Sequence, residues 1–110
     1  VFTCKDLKCI SEITNDPEDR EHVSLYFFRT GKDKYSLHNV SVPDKWKRDY
    51  DIRLTLDTKE DFEVIKIIYE ELSKEKTDFN LEDILNFLDK NRNVTEINSE
   101  VIQKKVKDLE

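Results

Sequence analysis

The chain has no methionine and only one glycine, Gly31, among its 110 residues. Because it has no methionine, Val1 is not a native translation start, which predicts that these residues are a piece of a longer protein. A single glycine also excludes a glycine-rich loop around phosphate groups, since such a loop needs several glycines at fixed spacing. We therefore expect a fragment without a complete nucleotide loop of its own.

Cysteine, basic charge and long apolar runs are also scarce. The two cysteines, Cys4 and Cys9, are not spaced as a zinc motif. No apolar run approaches the roughly 20 residues of a membrane span, and the first residues do not form a signal peptide. Acidic residues outnumber basic ones, which gives a net charge of -6 and disfavours nucleic acid and anionic membranes as partners. We expect a cytoplasmic protein that binds neither.

One stretch, residues 52–62, organises the rest of the chain. Apolar side chains at Ile52, Leu54 and Leu56 alternate with polar ones, a pattern typical of a strand. Thr58 and Asp61 then have the spacing of a helix capping box. The pattern predicts a strand that ends at Asp57 and leads directly into a helix. In open α/β sheets, ligands bind at such corners.

The remaining pattern predicts one α/β domain over residues 1–110, with few strands and about five helices. Helices are expected after the caps Thr3 and Asp16, over 59–74, after the cap Asn80, and over 98–107. The helix after Asp16 is expected to continue through Phe28, with Gly31 as the glycine just beyond its end. Strands are expected at Val1–Phe2, Tyr35–Val42 and 52–57.

Asp57 is the first candidate for chemistry. A carboxylate at the end of a strand could bind a divalent metal, since magnesium takes one or two carboxylates plus phosphate oxygens and water. An aspartate that only stabilises the turn fits the sequence as well. Arg53 lies on the same strand face and could bind a carboxylate or phosphate of a substrate with its planar fork. The alternative for Arg53 is a surface ion pair.

Two further groups are candidates for binding. Arg20, Glu21 and His22 follow one another near a helix start, so Arg20 and His22 could contact a ligand, and His22 could do acid–base work. A solvated helix face is the alternative. Lys45, Lys47 and Arg48 surround Trp46 as a small basic cluster that could touch a phosphate or belong to a solvated loop. No secure nucleophile or catalytic residue is apparent.

Several blocks together resemble one known family. In chain order they are Asp16-Pro17, Arg20-Glu21-His22-Val23, Arg53-Leu54-Thr55-Leu56-Asp57-Thr58, Glu60-Asp61-Phe62, Leu81-Glu82-Asp83-Ile84-Leu85, Ile97-Asn98 and Gln103-Lys104. Their order and spacing resemble the carboxyl-terminal half of the spore-coat polysaccharide biosynthesis protein F family, which is cytidylyltransferase-like. Enzymes that make CMP-activated keto-deoxy-octulosonate and CMP-sialic acid are related to this family.

The resemblance implies a nucleotide-diphospho-sugar transferase-like, Rossmann-like fold with a mostly parallel sheet. It implies a nucleotidyltransferase in which a sugar hydroxyl attacks the α-phosphate of CTP and Mg²⁺ offsets charge on the phosphates. By the same resemblance, Asp57 is a metal ligand, and Arg20 and His22 contact the substrate. The amino-terminal half that holds the nucleotide loop and another metal aspartate is absent here. The isolated chain is therefore expected to be inactive, so enzyme activity is assigned only to a longer parent protein.

Two alternatives remain open at this point. The chain could be a degenerate, non-catalytic relative that kept the fold and acts in protein interaction. It could also self-associate into a homodimer through a sheet edge that truncation leaves open.

Overall fold

The computed structural model describes residues 1–103 of the chain, which divide into two compact units, Val1–Val40 and Ser41–Gln103. The regular structure of these residues is helical. The α-helices are α1 Cys4–Ile13, α2 Pro17–Glu21, α3 Leu25–Phe28, α4 Lys59–Leu72, α5 Leu81–Lys90 and α6 Arg92–Glu96, with single 3-10 turns at Lys32–Lys34 and Asp44–Trp46.

The predicted α/β, Rossmann-like fold is wrong for this part of the chain, because residues 1–103 contain no strand and no sheet. Residues 35–42, predicted as a strand, are all exposed except the half-buried Tyr35, and they have no strand to pair with among the described residues. The stretch 52–56 is also outside regular structure. Its apolar side chains Ile52 and Leu54 instead pack against the helical core of the second unit. The alternation corresponds neither to strand pairing nor to one-sided burial, because Arg53 is half-buried like its apolar neighbours and Leu56 is 58% exposed. The described residues also have no sheet edge through which the predicted homodimer could form.

In the first unit, the predicted caps of α1 and α2 are confirmed. The Thr3 side chain accepts a hydrogen bond from the Asp6 amide at 3.1 Å. One Asp16 carboxylate oxygen accepts from the Glu18 amide at 2.8 Å, and Pro17 occupies the first helical position. These local contacts begin each helix at the residue that the sequence predicts.

The single long helix predicted after Asp16 is wrong. At His22 the backbone leaves the helical region, so α2 ends at Glu21 and α3 begins at Leu25. The short α3 is buried on most of its circumference, since the three consecutive side chains of Leu25, Tyr26 and Phe27 are all buried. Val23, predicted to lie in the core, is 56% exposed.

Gly31 has a different role from the predicted helix-ending glycine. Its φ of -107° lies outside the left-handed region that favours glycine. A β-carbon at this position would overlap the ring of Tyr26, whose carbonyl accepts a hydrogen bond from the Gly31 amide at 2.8 Å. Glycine is therefore needed here for close approach of the Tyr26 ring.

In the second unit, α4 packs against α5 and α6. Both predicted capping boxes, Thr58 with Asp61 and Asn80 with Asp83, are confirmed. The buried apolar core consists of Val64, Ile68, Leu88 and Val94. On α4, Val64 is buried, whereas Phe62 and Tyr69 are 56% and 62% exposed.

The predicted last helix, 98–107, is wrong where it can be compared. Residues 98–103 are not helical, and the rest of that range lies outside the described residues. A shorter helix, α6, precedes it at Arg92–Glu96. None of the helices in residues 1–103 has the length and apolar character needed to cross a membrane.

Candidate functional site

Two of the predicted site residues, Arg53 and Asp57, lie together at the start of α4. The Asp61 amide donates to Thr58 Oγ1 at 3.2 Å. In return, Asp61 Oδ2 accepts from the amides of Thr58 at 3.2 Å and Asp57 at 3.0 Å. The capping box therefore extends one residue further than the sequence predicts, and it holds the backbone of Asp57 in place.

Arg53 binds Asp61 through both sides of its guanidinium fork. Arg53 Nε donates to Asp61 Oδ1 at 2.9 Å, and Nη2 donates to Oδ2 at 3.0 Å. The Asp61 side chain is fully buried, so this pair needs further hydrogen bonds to satisfy it. The Arg53 guanidinium holds the pKa of the Asp61 carboxyl well below its usual range, and the Asn98 side chain and the Asp57 amide lower it further.

Asn98 supplies a contact that the sequence analysis did not assign. Its Nδ2 group donates to Asp61 Oδ1 at 2.8 Å and to the Arg53 carbonyl at 3.1 Å, and Asn98 is 2% exposed. These partners are 37 and 45 residues away in sequence, so no local pattern predicts the contact. The only signal was the position of Asn98 within the Ile97-Asn98 block.

Asp57 is the accessible carboxylate of this cluster. Its side chain is 55% exposed, and Oδ2 accepts from Arg53 Nη2 at 3.0 Å. Arg53 Nη1 also donates to Gln103 Oε1 at 2.6 Å. Within the described residues, Arg53 thus uses four of the five N–H bonds of a guanidinium, which leaves one for a substrate. The Asp57 carboxylate is therefore exposed to solvent, whereas the Arg53 guanidinium is held by hydrogen bonds within the protein.

The other predicted site residues, Arg20 and His22, lie in the first unit. Arg20 Nη1 donates to the carbonyls of Ser11 at 3.1 Å and Thr14 at 3.0 Å, at the end of α1. These carbonyls have no partner within the helix, so Arg20 acts as a C-terminal cap. His22 ends α2 and its side chain is exposed. Arg20 thus has a structural role in the unit, and His22 is accessible to a ligand.

Beside Arg20, a second buried aspartate was missed by the sequence analysis. Asp19 is 3% exposed and accepts from Thr14 Oγ1 at 2.9 Å, Arg29 Nη2 at 3.1 Å and the Thr30 hydroxyl at 3.1 Å. Arg29 also pairs with Asp16 and Glu18. The partners of Asp19 are 5, 10 and 11 residues away, so no helical spacing predicts them.

The described residues do not form a complete metal site. No group of three or more His, Cys, Asp or Glu side chains within residues 1–103 could hold a metal ion. Asp61 already accepts several hydrogen bonds and is buried, whereas Asp57 offers an accessible carboxylate beside the positive charge of Arg53. The Asp57 carboxylate could therefore be one ligand of a Mg²⁺ ion whose other ligands come from phosphates, water or residues elsewhere.

Two curated proteins are similar to the chain. An uncharacterized protein from Methanocaldococcus jannaschii is 33% identical over 112 residues, which cover 100% of this chain and 44% of that protein. The spore coat polysaccharide biosynthesis protein SpsF from Bacillus subtilis is 33% identical over 72 residues, which cover 66% of this chain and 29% of that protein. The chain thus spans less than half the length of both relatives. No family model matches the chain, and no solved structure matches it significantly.

Proposed function

We propose that the chain is part of a nucleotidyltransferase that transfers CMP from CTP to a sugar during biosynthesis of a surface polysaccharide or glycan. The similarity to SpsF, whose name places it in spore coat polysaccharide biosynthesis, is the observation that carries this proposal. The resemblance of the blocks around Arg20 and Asp57 to cytidylyltransferase-like proteins supplies the reaction. The helical fold of residues 1–103 means that the proposal does not rest on a sheet in this part of the chain.

Asp57 is the residue through which the chain contributes to this chemistry. Its backbone is fixed by Asp61, and its carboxylate is oriented by Arg53 at 3.0 Å. A carboxylate held in this way loses little conformational freedom when it binds a cation, which favours binding. Asp57 would hold Mg²⁺ together with nucleotide phosphates, and the ion would neutralise charge on those phosphates during attack by the sugar hydroxyl.

The other predicted residues have smaller parts in this proposal. Arg53 orients Asp57 and retains one N–H for a substrate oxygen. Arg20 and His22 remain predicted substrate contacts, with Arg20 fixed by the end of α1 and His22 accessible.

A non-catalytic interaction module is a second candidate, and one observation favours it. Phe62 and Tyr69 lie one above the other on α4, seven residues apart, and both are more than half exposed. Exposed aromatic side chains at this spacing are typical of a helix face that contacts another protein. A degenerate relative of the enzymes would keep such a face and lose turnover.

The test is CMP-sugar formation by the full-length gene product that contains the chain. The protein is incubated with CTP, Mg²⁺ and a panel of hexoses and nine-carbon sugar acids, and both pyrophosphate and the CMP-sugar are measured. We expect turnover with at least one sugar, dependence on Mg²⁺, and no turnover by the isolated 110-residue chain. A folded full-length protein that neither binds CTP with Mg²⁺ nor releases pyrophosphate would favour the interaction module.

A further inference from the structure

One cavity of the first unit lies away from the residues assigned so far. Its volume is about 590 Å³, which is within the range of sites for small molecules. The lining comes from the residues before and within α1, from Ser24 and α3, and from residues 35–39. All of it belongs to one compact unit, so the cavity is defined within that unit.

Aromatic rings form the apolar part of the cavity. Phe2 stacks on Phe27 with ring centroids 4.6 Å apart, and Phe27 meets the edge of Tyr35 at 4.7 Å. Phe27 is 7% exposed and anchors the group, whereas Phe2 and Phe28 are 39% and 42% exposed. The exposed rings offer apolar faces to a ligand, and stacking on Phe27 fixes the Phe2 ring in place.

Hydrogen-bonding groups complete the lining. They are the carboxylate of Asp6, the imidazole of His38, the amide of Asn39 and the hydroxyls of Thr3 and Ser24. The Thr3 hydroxyl donates to Asp6 Oδ2 at 2.7 Å, which orients that carboxylate. Among the described residues, no lysine or arginine lines the cavity. The side chains therefore offer donors and acceptors with one negative charge and no strong cation.

We propose that this cavity binds the ring of a neutral hexose. The C–H bonds of a sugar ring pack on the negative face of an aromatic ring. Sugar hydroxyls donate to the Asp6 carboxylate, and they both donate to and accept from Asn39 and His38. An anionic sugar or a phosphate would place a second negative charge beside Asp6 with no arginine or lysine to pair with it. This inference rests on the proposed function. It implies that the activated sugar is neutral, unlike the acidic sugars used by the enzymes that make CMP-activated keto-deoxy-octulosonate and CMP-sialic acid.

The test compares sugars that differ only in charge. The 110-residue chain, acetylated at its amino terminus so that Val1 adds no charge to the lining, is titrated with each probe at about pH 8. The probes are methyl glucoside, mannoside and galactoside, each paired with its uronic acid, and inorganic phosphate. Binding is followed by amide chemical shifts up to about 50 mM ligand, since millimolar affinity is expected of a single sugar ring.

We expect at least one neutral glycoside to bind saturably, with shifts confined to α1, α3 and residues 35–39. Its uronic acid and phosphate should bind at least about tenfold more weakly. Phe28→Ala and His38→Ala should each weaken binding by about tenfold or more, while Phe62→Ala, a matched exposed phenylalanine outside the lining, should leave it unchanged. Because Phe28 and His38 are exposed, both variants should fold.

Equal or tighter binding of the uronic acid or of phosphate would overturn the inference, as would no saturable binding by any neutral glycoside. Unchanged binding by both cavity variants would also overturn it. The proposed function is judged separately by CMP-sugar formation. An active full-length enzyme that uses only acidic sugars would reject the inference and retain the function.

Discussion

Each unit of the chain buries one aspartate that binds an arginine, and the two clusters differ in how far they reach along the sequence. Asp19 in the first unit takes all its side-chain partners from within 11 residues. Asp61 in the second unit joins Arg53, the start of α4 and Asn98, which is 37 residues away. The first cluster connects only residues 14–30, whereas the second also includes Asn98, which is distant in sequence.

The difference affects how each unit presents its candidate residues. In the first unit, Arg20 is held by carbonyls at the end of α1, beside the Asp19 cluster. In the second unit, a residue from outside the local segment, Asn98, fixes the group that orients Asp57. We therefore expect the geometry at Asp57 to depend on the whole second unit, and the turn at Asp19 to depend mainly on its neighbours.

The largest expected difference between the two units is in how much stability each loses in acid, because acid protonates several carboxylates at once. The pKa values of Asp61, Asp83 and Asp89 in the second unit lie below the usual value of 3.8, through the bonds from Arg53, Lys76 and Tyr50, respectively. In the first unit the pKa of Asp16 is lowered, mainly through the Asp19 amide. A lowered folded-state pKa stabilises the fold above the usual value, and this stabilisation is lost as the pH falls below about 4.

We therefore expect amide NMR signals of α4 and α5 to be lost at a higher pH than those of α1 during acid titration. The fluorescence of Trp46, the only tryptophan, should follow α4. Loss of the α1 signals first would contradict the comparison. Asp61→Asn serves as the control, because it removes one titrating group and should flatten the pH dependence of the second unit.

Leucine truncation is expected to have the next largest effect. Leu88 in the second unit and Leu25 in the first are both 0% exposed. Replacing either by alanine should cost about 2–5 kcal/mol of unfolding free energy, from lost burial and the remaining cavity. Urea unfolding, followed by Trp46 fluorescence for Leu88→Ala and by amide signals of α3 for Leu25→Ala, measures each loss. A loss below about 1 kcal/mol for either variant would show that its unit lacks the close packing described.

Asn98→Ala tests the long-range contact that distinguishes the second unit. It should cost about 1–3 kcal/mol, because the Arg53 carbonyl and Asp61 Oδ1 each lose a buried donor. Asn93→Ala is the matched control, since Asn93 is exposed on α6 and its replacement should change the free energy of unfolding by less than about 0.5 kcal/mol. Urea unfolding measures both losses. Equally small losses of unfolding free energy for the two variants would contradict a stabilising role of Asn98 in the second unit.

Helix caps should show the smallest effect. Thr58→Ala should cost about 1 kcal/mol, because it removes one side of a reciprocal capping box. Thr3→Ala should cost less, since Thr3 accepts from the Asp6 amide but the reciprocal bond to its own amide is not formed. Urea unfolding of both variants measures the two losses of unfolding free energy. A larger loss for Thr3→Ala than for Thr58→Ala would contradict this prediction.

Local features of the fold could be predicted from sequence, and long-range features could not. The caps at Thr3, Asp16, Thr58 and Asn80 were predicted because side-chain to amide bonds within three residues leave a clear spacing. The strand at 52–57 was wrong because an alternating sequence does not supply a strand to pair with, and Ile52 and Leu54 pack against helices instead. No local pattern in the sequence predicted the break at His22.

In the candidate site, too, local contacts could be predicted from the sequence and long-range contacts could not. The Arg53–Asp57 contact was within reach of a local argument, because the two residues are four apart and both polar. The roles of Asn98 and of Asp19 depend on tertiary contacts, so spacing could not reveal them. The function of Asp57, Arg20 and His22 stays a prediction.

Asp57→Asn in the full-length gene product tests the central claim most directly. Asp44→Asn is the matched control, because Asp44 is an exposed aspartate of the same unit that also pairs with a basic residue. The measured quantity is the rate of CMP-sugar formation as a function of Mg²⁺ concentration. We predict at least about a hundredfold lower rate for Asp57→Asn, partly restored by higher Mg²⁺, and an unchanged rate for Asp44→Asn. Equal rates for the two variants would contradict the role proposed for Asp57.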